Sequence, residues 1–389
     1  MTTTKAMPDV GEVRAILVTA YGHIADVLPA LPALRALRAA YPRARITVLA
    51  VEYVRDMLEG SPYVDEVLIL RDFKYKGTRW AKLEQLARLA QLAPRLYRRF
   101  DMVLVLHART RFLSRLAWLT GAPVRAGFAD AAPAGALTHP ARPLSALASF
   151  REENRRTLEA VGVSGMPMRL ELDPSRADTD AVVRLLDEWG IGEHTLLIGL
   201  HPGSHWTCQQ WRVEDWAALA DTLVERFDAH LVITGTHDER PLASGIRQHM
   251  RADSANVVDA TGRTSILQYA ALIKRMNLLI CVNSAASQVA LAVGTRTVNL
   301  VGYENPVWTA PMHGEPMTIV RGCDDTTAKT TWCPYNVWGR LSECHRAECV
   351  GIGGLSLIGH NLVLAAASAA LKDQQGAKTA PVHQSRGQG

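Results

Sequence analysis

The sequence predicts an α/β protein made of two doubly wound, parallel-sheet units, and three observations carry that prediction. Short apolar runs alternate with segments of helical spacing in both halves of the chain. The runs are continuous rather than alternating, as expected of strands buried on both faces. Asp173-Pro174 divides the two series at a plausible linker.

The elements follow in order. Residues 14–19 form a short apolar run ended by Tyr21-Gly22, and Ile24, Val27, Leu28, Leu31 and Leu34 come next at helical spacing. Residues 45–51 and 67–70 read as the next strands, the basic segment after Lys76 as helix, and residues 102–106 as another buried strand. A looser stretch rich in Ala and Pro, residues 129–147, precedes a polar helix over 151–161. The second series has strands at 195–200, 230–234, 278–282 and 297–301, with helices starting at Val213, Glu239, Ser265 and Ala285.

These series predict a first domain over residues 1–175 and a second over 176–354, their sheets turning their carboxyl ends toward a shared cleft. The apolar stretch 355–372 is expected to be a helix that packs back on the first domain. Residues 373–389 are polar and expected to lack regular structure.

Composition narrows the class of protein. The 389 residues are 48% hydrophobic and 21% charged, ordinary values for a globular enzyme-sized chain. No run reaches about 18 apolar residues, and residues 1–11 lack the apolar core of a signal peptide, so the expected location is cytoplasmic. Six cysteines in this length do not form a dense disulfide framework.

The net charge of +5 is unevenly spread. Between residues 74 and 115 stand Lys74, Lys76, Arg79, Lys82, Arg88, Arg95, Arg98, Arg99, Arg109, Arg111 and Arg115, against only Glu84 and Asp101, with Trp80 and Tyr97 among them. Solvated helix faces account for such a run. So does attraction to an anionic glycolipid or to the inner face of a membrane, where the protein would sit peripherally. Nucleic acid is not expected, because no nucleic-acid motif accompanies the charge.

Three junctions carry candidate chemistry. Asp26, in the first helical turn after the first strand, either complements the helix dipole or serves as a general base. His201-Pro202-Gly203-Ser204 follows the first strand of the second unit, and a loop of this kind presents N–H groups and hydroxyls to phosphate, although turns use Gly and Ser anyway. Residues 283–288 place small side chains at a helix start, for ligand approach or for packing alone.

Cys323, Cys333, Cys344 and Cys349 have the spacing C-x9-C-x10-C-x4-C, without the tight C-x2-C of strong metal signatures, so ordinary thiols are expected and no metal. Cys208 and Cys281 read as packing residues. Neither unit has G-x-G-x-x-G after its first strand, which disfavours a dehydrogenase.

The order of motifs resembles glycosyltransferase family 9, the heptosyltransferases of lipopolysaccharide biosynthesis. Residues 22–37 (GHIADVLPALPALRAL), Tyr41-Pro42 with Ala44-Arg45-Ile46, and Ser61-Pro62-Tyr63-Val64-Asp65-Glu66-Val67 resemble the family's opening. The second half is similar through His201-Pro202-Gly203, Trp211, Thr234-Gly235 with Asp238-Glu239, residues 260–265, residues 283–294, and Leu300-Val301-Gly302 with Pro306.

The resemblance implies a GT-B fold of two Rossmann-like domains, an inverting transfer and no obligatory metal or other cofactor. It implies that Asp26 is the catalytic base and that His201, Gly203, Ser204, Gln209, Glu239, Asn283, Ser284, Ala285 and Gln288 surround the donor. The expected donor is a nucleotide-diphosphate sugar, ADP-linked, carrying a heptose or related hexose. The expected acceptor is an anionic glycolipid or saccharide such as lipopolysaccharide core.

Departures from the family pattern are equally legible. Its glycine before the aspartate is Ala25, its lysine is Gln209, and its Asp-Ser/Thr-Gly-x-x-His is Asn283-Ser284-Ala285-Ala286-Ser287-Gln288. A GT-B-shaped binding or scaffold protein with a decayed donor site is therefore the alternative. Some relatives also carry a cysteine cluster where Cys323 to Cys349 stand.

Overall fold

A computed structural model describes residues 13–70, 87, 90–106, 111–129, 132–142, 149–204, 209–251, 254–302, 310–321 and 355–379. The chain divides into two compact units, Met1–Ser175 with Pro306–Met312, and Arg176–Asn305 with His313–Gly389. The short excursion at 306–312, expected in the second unit, groups with the first, where Nη2 of Arg151 donates to the Ala310 carbonyl at 2.7 Å.

The first unit holds six parallel strands: β1 (Ala15–Thr19), β2 (Arg45–Ala50), β3 (Glu66–Ile69), β4 (Met102–Val105), β5 (Val124–Phe128) and β6 (His139–Ala141). They lie in the order β3-β2-β1-β4-β5-β6. Ile16 of β1 pairs with Ile46 on one side and Met102 on the other. Both faces of β1 are covered, so Ile16, Leu17 and Val18 are all fully buried. That burial explains the continuous apolar run, since neither face of a helix-covered parallel strand meets water.

The second unit repeats the plan with β7 (Leu197–His201), β8 (His230–Ile233), β9 (Val257–Asp259), β10 (Leu278–Val282), β11 (Thr297–Val301) and β12 (Met317–Arg321), again all parallel, in the order β12-β11-β10-β7-β8-β9. In each unit the first strand is central. The chain winds to one side of it, then returns to the other, so the strand order reverses beside β1 and beside β7. A ligand crevice forms at such a reversal, because the flanking connections leave in opposite directions.

The sequence reading missed β5, β6, β9 and β12, and for the last three the reason is positional. β6, β9 and β12 are sheet edges, and β6 and β9 have only three residues each. Edge strands are short and half-covered, so they lack the long apolar run that marks a central strand. β6 also contains Pro140, which an edge tolerates, and it lies inside the stretch expected to be loose.

The C-terminal helix needs two corrections. It spans His360–Thr379, beginning after a turn at 355–357 and continuing past Asp373 into the segment expected to lack structure. Ala, Lys and Gln in that extension are good helix formers, which the polarity argument ignored. The helix belongs to the second unit rather than returning to the first, and it packs on β10, β11, β12 and the helix Val213–Phe227. Val363, Ala367 and Leu371 recur every four residues along it and enter the same core as fully buried Trp216. The indole N–H of Trp211 donates to the Ile358 carbonyl at 2.9 Å, tying the start of this segment to the body. No described helix is long and apolar enough to cross a membrane.

Candidate active site

At the end of β1, beside the strand-order reversal, the chain turns through Tyr21-Gly22 into a helical turn, Ile24–Val27. Asp26 is its third residue. Oδ2 of Asp26 accepts the His23 N–H at 2.7 Å, so the carboxylate caps the helix start. Gly22 permits this approach. Its φ is +149°, and a β-carbon there would lie 2.6 Å from both Cβ and Oδ2 of Asp26. Tyr53, from the loop after β2, closes the other side: its hydroxyl donates to the Gly22 carbonyl at 2.9 Å, and its ring stacks on His23 at 5.6 Å. Sequence reasoning missed Gly22 and Tyr53. The glycine was legible as a turn signal, but the tyrosine carried no signal at all.

In the second unit, three junctions meet at the carboxyl ends of adjacent strands β10, β7 and β8. His201 closes β7. Its Nδ1 lies 2.9 Å from the Tyr269 hydroxyl and 3.0 Å from the Thr234 hydroxyl, while its Nε2 has no hydrogen-bond partner among the described residues. The ring is half-buried, and desolvation holds its pKa below the ordinary imidazole value, partly offset by the Glu239 carboxylate. Burial also pushes the Tyr269 hydroxyl well above the usual phenol range, so that hydroxyl stays protonated. Tyr269 comes from the helix Ile266–Arg275 and was invisible in the sequence as a site residue.

Gly203 and Glu239 are brought together. Glu239 Oε2 accepts the Thr236 N–H at 2.6 Å and contacts the Thr236 hydroxyl at 3.0 Å, capping the turn after β8. A β-carbon on Gly203 would fall 2.1 Å from Glu239 Oε1. Ser204 and Gln209 are likewise joined, the serine hydroxyl donating to Gln209 Oε1 at 2.6 Å.

Beyond β10, Ser284 caps the helix Ala285–Val293, its hydroxyl accepting the Ala286 N–H at 3.3 Å. Asn283 Oδ1 accepts from Asn299 Nδ2 at 3.3 Å, and Gln288 is buried under the helix start. The donor residues named from the sequence thus form three local groups, 201–209, 234–239 and 283–288, on neighbouring strands of one sheet.

The His201 environment makes a stability prediction. A histidine with a lowered folded-state pKa stays neutral in the fold while the unfolded chain takes up a proton near pH 6.5. Its contribution is complete above that pH and declines as pH falls from about 6.5 toward the folded pKa. The urea midpoint of the wild type should therefore drop more between pH 8 and pH 5 than that of His201→Gln. Equal slopes would refute the assignment.

Among the described residues, no group of three His, Cys, Asp or Glu side chains is placed to hold a metal. Cys323, Cys333, Cys344, Cys349 and Cys208 lie outside the described residues, as does most of the basic segment from residue 74 to 88. Cys281 is buried beside Asn299, with burial pushing its thiol pKa up, as a packing residue requires.

Comparison with known proteins places this architecture. Residues 89–334, well over half of the chain, match the model of glycosyltransferase family 9 (heptosyltransferase). The chain belongs to glycosyltransferase family 9.

Lipopolysaccharide heptosyltransferase 3 of Escherichia coli is 25% identical to this family 9 protein over 160 residues, 41% of this chain and 46% of that relative. The match thus spans less than half of the curated relative's length. A family 9 glycosyltransferase from Veillonella parvula superposes with a TM-score of 0.73 at 22% identity, covering 92% of this chain and 97% of that one. The ADP-heptose lipopolysaccharide heptosyltransferase II of Escherichia coli gives 0.69 at 19% identity, covering 93% and 99%. An Escherichia coli heptosyltransferase solved with ADP-2-deoxy-2-fluoro heptose gives 0.61 at 16% identity, covering 91% and 99%. At these identities the solved structures establish the fold, and it is the GT-B fold expected from the motifs.

Proposed function

We propose that this family 9 protein transfers a heptose or related hexose from an ADP-linked or similar nucleotide-diphosphate donor to a saccharide acceptor such as lipopolysaccharide core, with inversion at the anomeric carbon. The observation that carries the reading is the family match over residues 89–334, which includes all three junctions of the second unit. The relative solved with an ADP-heptose analogue supports the choice of donor.

The chemistry would run as a single displacement. Asp26 takes the proton of the acceptor hydroxyl, whose oxygen bonds to the anomeric carbon as the bond to the diphosphate breaks and its electron pair leaves with the phosphate oxygen. The His23 N–H, donated to Oδ2 at 2.7 Å, orients the carboxylate at the helix start for this task. The departing diphosphate gains negative charge, which the Ser284-capped helix start and the Nε2 edge of His201 would meet. Domains at 1–175 and 176–354 would divide acceptor and donor binding between them. No cofactor enters this scheme.

Calorimetric titration with a panel of nucleotide sugars tests it. Binding of an ADP-linked sugar is the expected result, and failure of every nucleotide sugar would favour the scaffold alternative. Gln209→Lys returns the family's cation to the loop beside Ser204 and should tighten nucleotide-diphosphate binding about two- to fivefold at low ionic strength. The gain should shrink as salt is raised. An unchanged affinity would mean that the diphosphate lies elsewhere.

A further inference from the structure

The first unit carries an aromatic and basic face that the transferase reading does not use. The helix Arg111–Leu119 buries Phe112, Leu113, Leu116 and Ala117, and it turns Arg111, Arg115 and Trp118 outward. Spacings of four and three put those three on one stripe along the helix. Trp118 is 57% exposed and Tyr97 54%, the two most exposed aromatic side chains among the described residues.

The two aromatics belong to one neighbourhood. The Arg98 N–H donates to the Thr120 carbonyl at 2.7 Å, and a β-carbon at Gly121 would lie 3.5 Å from the Tyr97 ring. Arg98 holds a left-handed backbone at φ 55°, an unfavourable conformation for a residue with a side chain, and its guanidinium sits over the Tyr97 ring at 5.2 Å. Arg95 and Arg99 are exposed on either side.

Charge on this face is unbalanced. None of Arg95, Arg98, Arg99, Arg111 and Arg115 forms an ion pair with another described residue, whereas exposed arginines elsewhere, such as Arg45 and Arg263, have carboxylate partners. Asp101, the nearby acid in sequence, spends Oδ2 on the backbone N–H groups of Arg14 and Ala15.

We propose that this face docks on an anionic phospholipid bilayer, with Trp118 and Tyr97 seated at headgroup depth and the arginines on lipid phosphates. Exposed Trp and Tyr favour the interface because their rings have an apolar body and a polar edge. Unpaired guanidinium groups supply the attraction to anionic lipid, each contributing about fivefold to partitioning. Single-stranded nucleic acid also uses cations beside exposed aromatic rings, but no nucleic-acid motif accompanies these residues. The inference is independent of Asp26 and of the donor junctions, so it stands or falls apart from the transferase reading.

Cosedimentation of the full chain with vesicles tests it. The protein should bind vesicles of phosphatidylcholine with phosphatidylglycerol, bind phosphatidylcholine alone at least tenfold more weakly, and lose the difference as salt rises. Trp118→Ala should lower partitioning about tenfold, and the double variant Arg111→Gln/Arg115→Gln about 25-fold. Arg176→Gln, an exposed arginine of the second unit, should leave it unchanged. All these side chains are exposed, so melting temperatures should match the wild type and report that the fold is intact. The proposal is overturned by no preference for anionic vesicles, by wild-type binding of both Trp118→Ala and the double variant, or by retention on single-stranded nucleic acid without retention on vesicles.

Discussion

Asp26→Asn should lower turnover by about 10²- to 10⁴-fold, the contribution of a positioned general base, while nucleotide-sugar affinity stays near wild type and stability falls by no more than about 1 kcal/mol. The structure makes this substitution a clean one. An asparagine Oδ1 can accept the same His23 N–H that Asp26 Oδ2 accepts at 2.7 Å, so the helix start keeps its cap while proton acceptance is lost. If Asp26 did no more than complement the helix dipole, its neutralisation would cost about 0.3–1 kcal/mol of stability and leave transfer intact. Steady-state transfer assays separate the two outcomes, with thermal melts reporting that the fold is intact, and wild-type turnover in Asp26→Asn would defeat the catalytic assignment.

Gly22→Ala should produce the second large effect, and on both quantities at once. At φ +149° a side chain is strained, at a cost on the order of 1–3 kcal/mol, and the added carbon would meet Asp26 Cβ and Oδ2 at 2.6 Å. The contact involves the first atom of the aspartate side chain as well as its flexible end, so the helical turn itself must move. Displacing a general base by about 1 Å costs on the order of 10²-fold in rate. Urea denaturation and transfer assays should therefore fall together for Gly22→Ala, whereas they separate for Asp26→Asn. Wild-type turnover in Gly22→Ala would show that the close packing of Gly22 on Asp26 has no part in the reaction.

The central strands were legible because their physics is local. Residues 278–282 and 297–301 were read at the bounds they adopt, since strands covered on both faces are largely apolar, and Thr297 and Asn299 are the polar exceptions here. The helix starts at Val213 and Ala285 were equally plain. Edge strands β6, β9 and β12 were not, because an edge is defined by what fails to pair with it, a property absent from the strand's own residues.

The C-terminal helix shows the same limit. Its apolar stripe announced that it must be covered but not by what, and the cover is its own unit's sheet, through Val363, Ala367 and Leu371.

By itself the sequence determined the α/β class, the division near residue 175, the family and the identity of the loops that follow β1, β7 and β10. Each depends on periodicity or on motifs contiguous along the chain. Tertiary structure alone decided that Tyr53 would close over Gly22 and that Tyr269 and Thr234 would both reach His201 Nδ1. It also decided that Glu239 would pack on Gly203. These pairs are separated by roughly thirty to seventy residues and meet only because parallel pairing carries the strand ends to one edge of each sheet. No local pattern records a contact whose geometry is set by the winding of the whole unit.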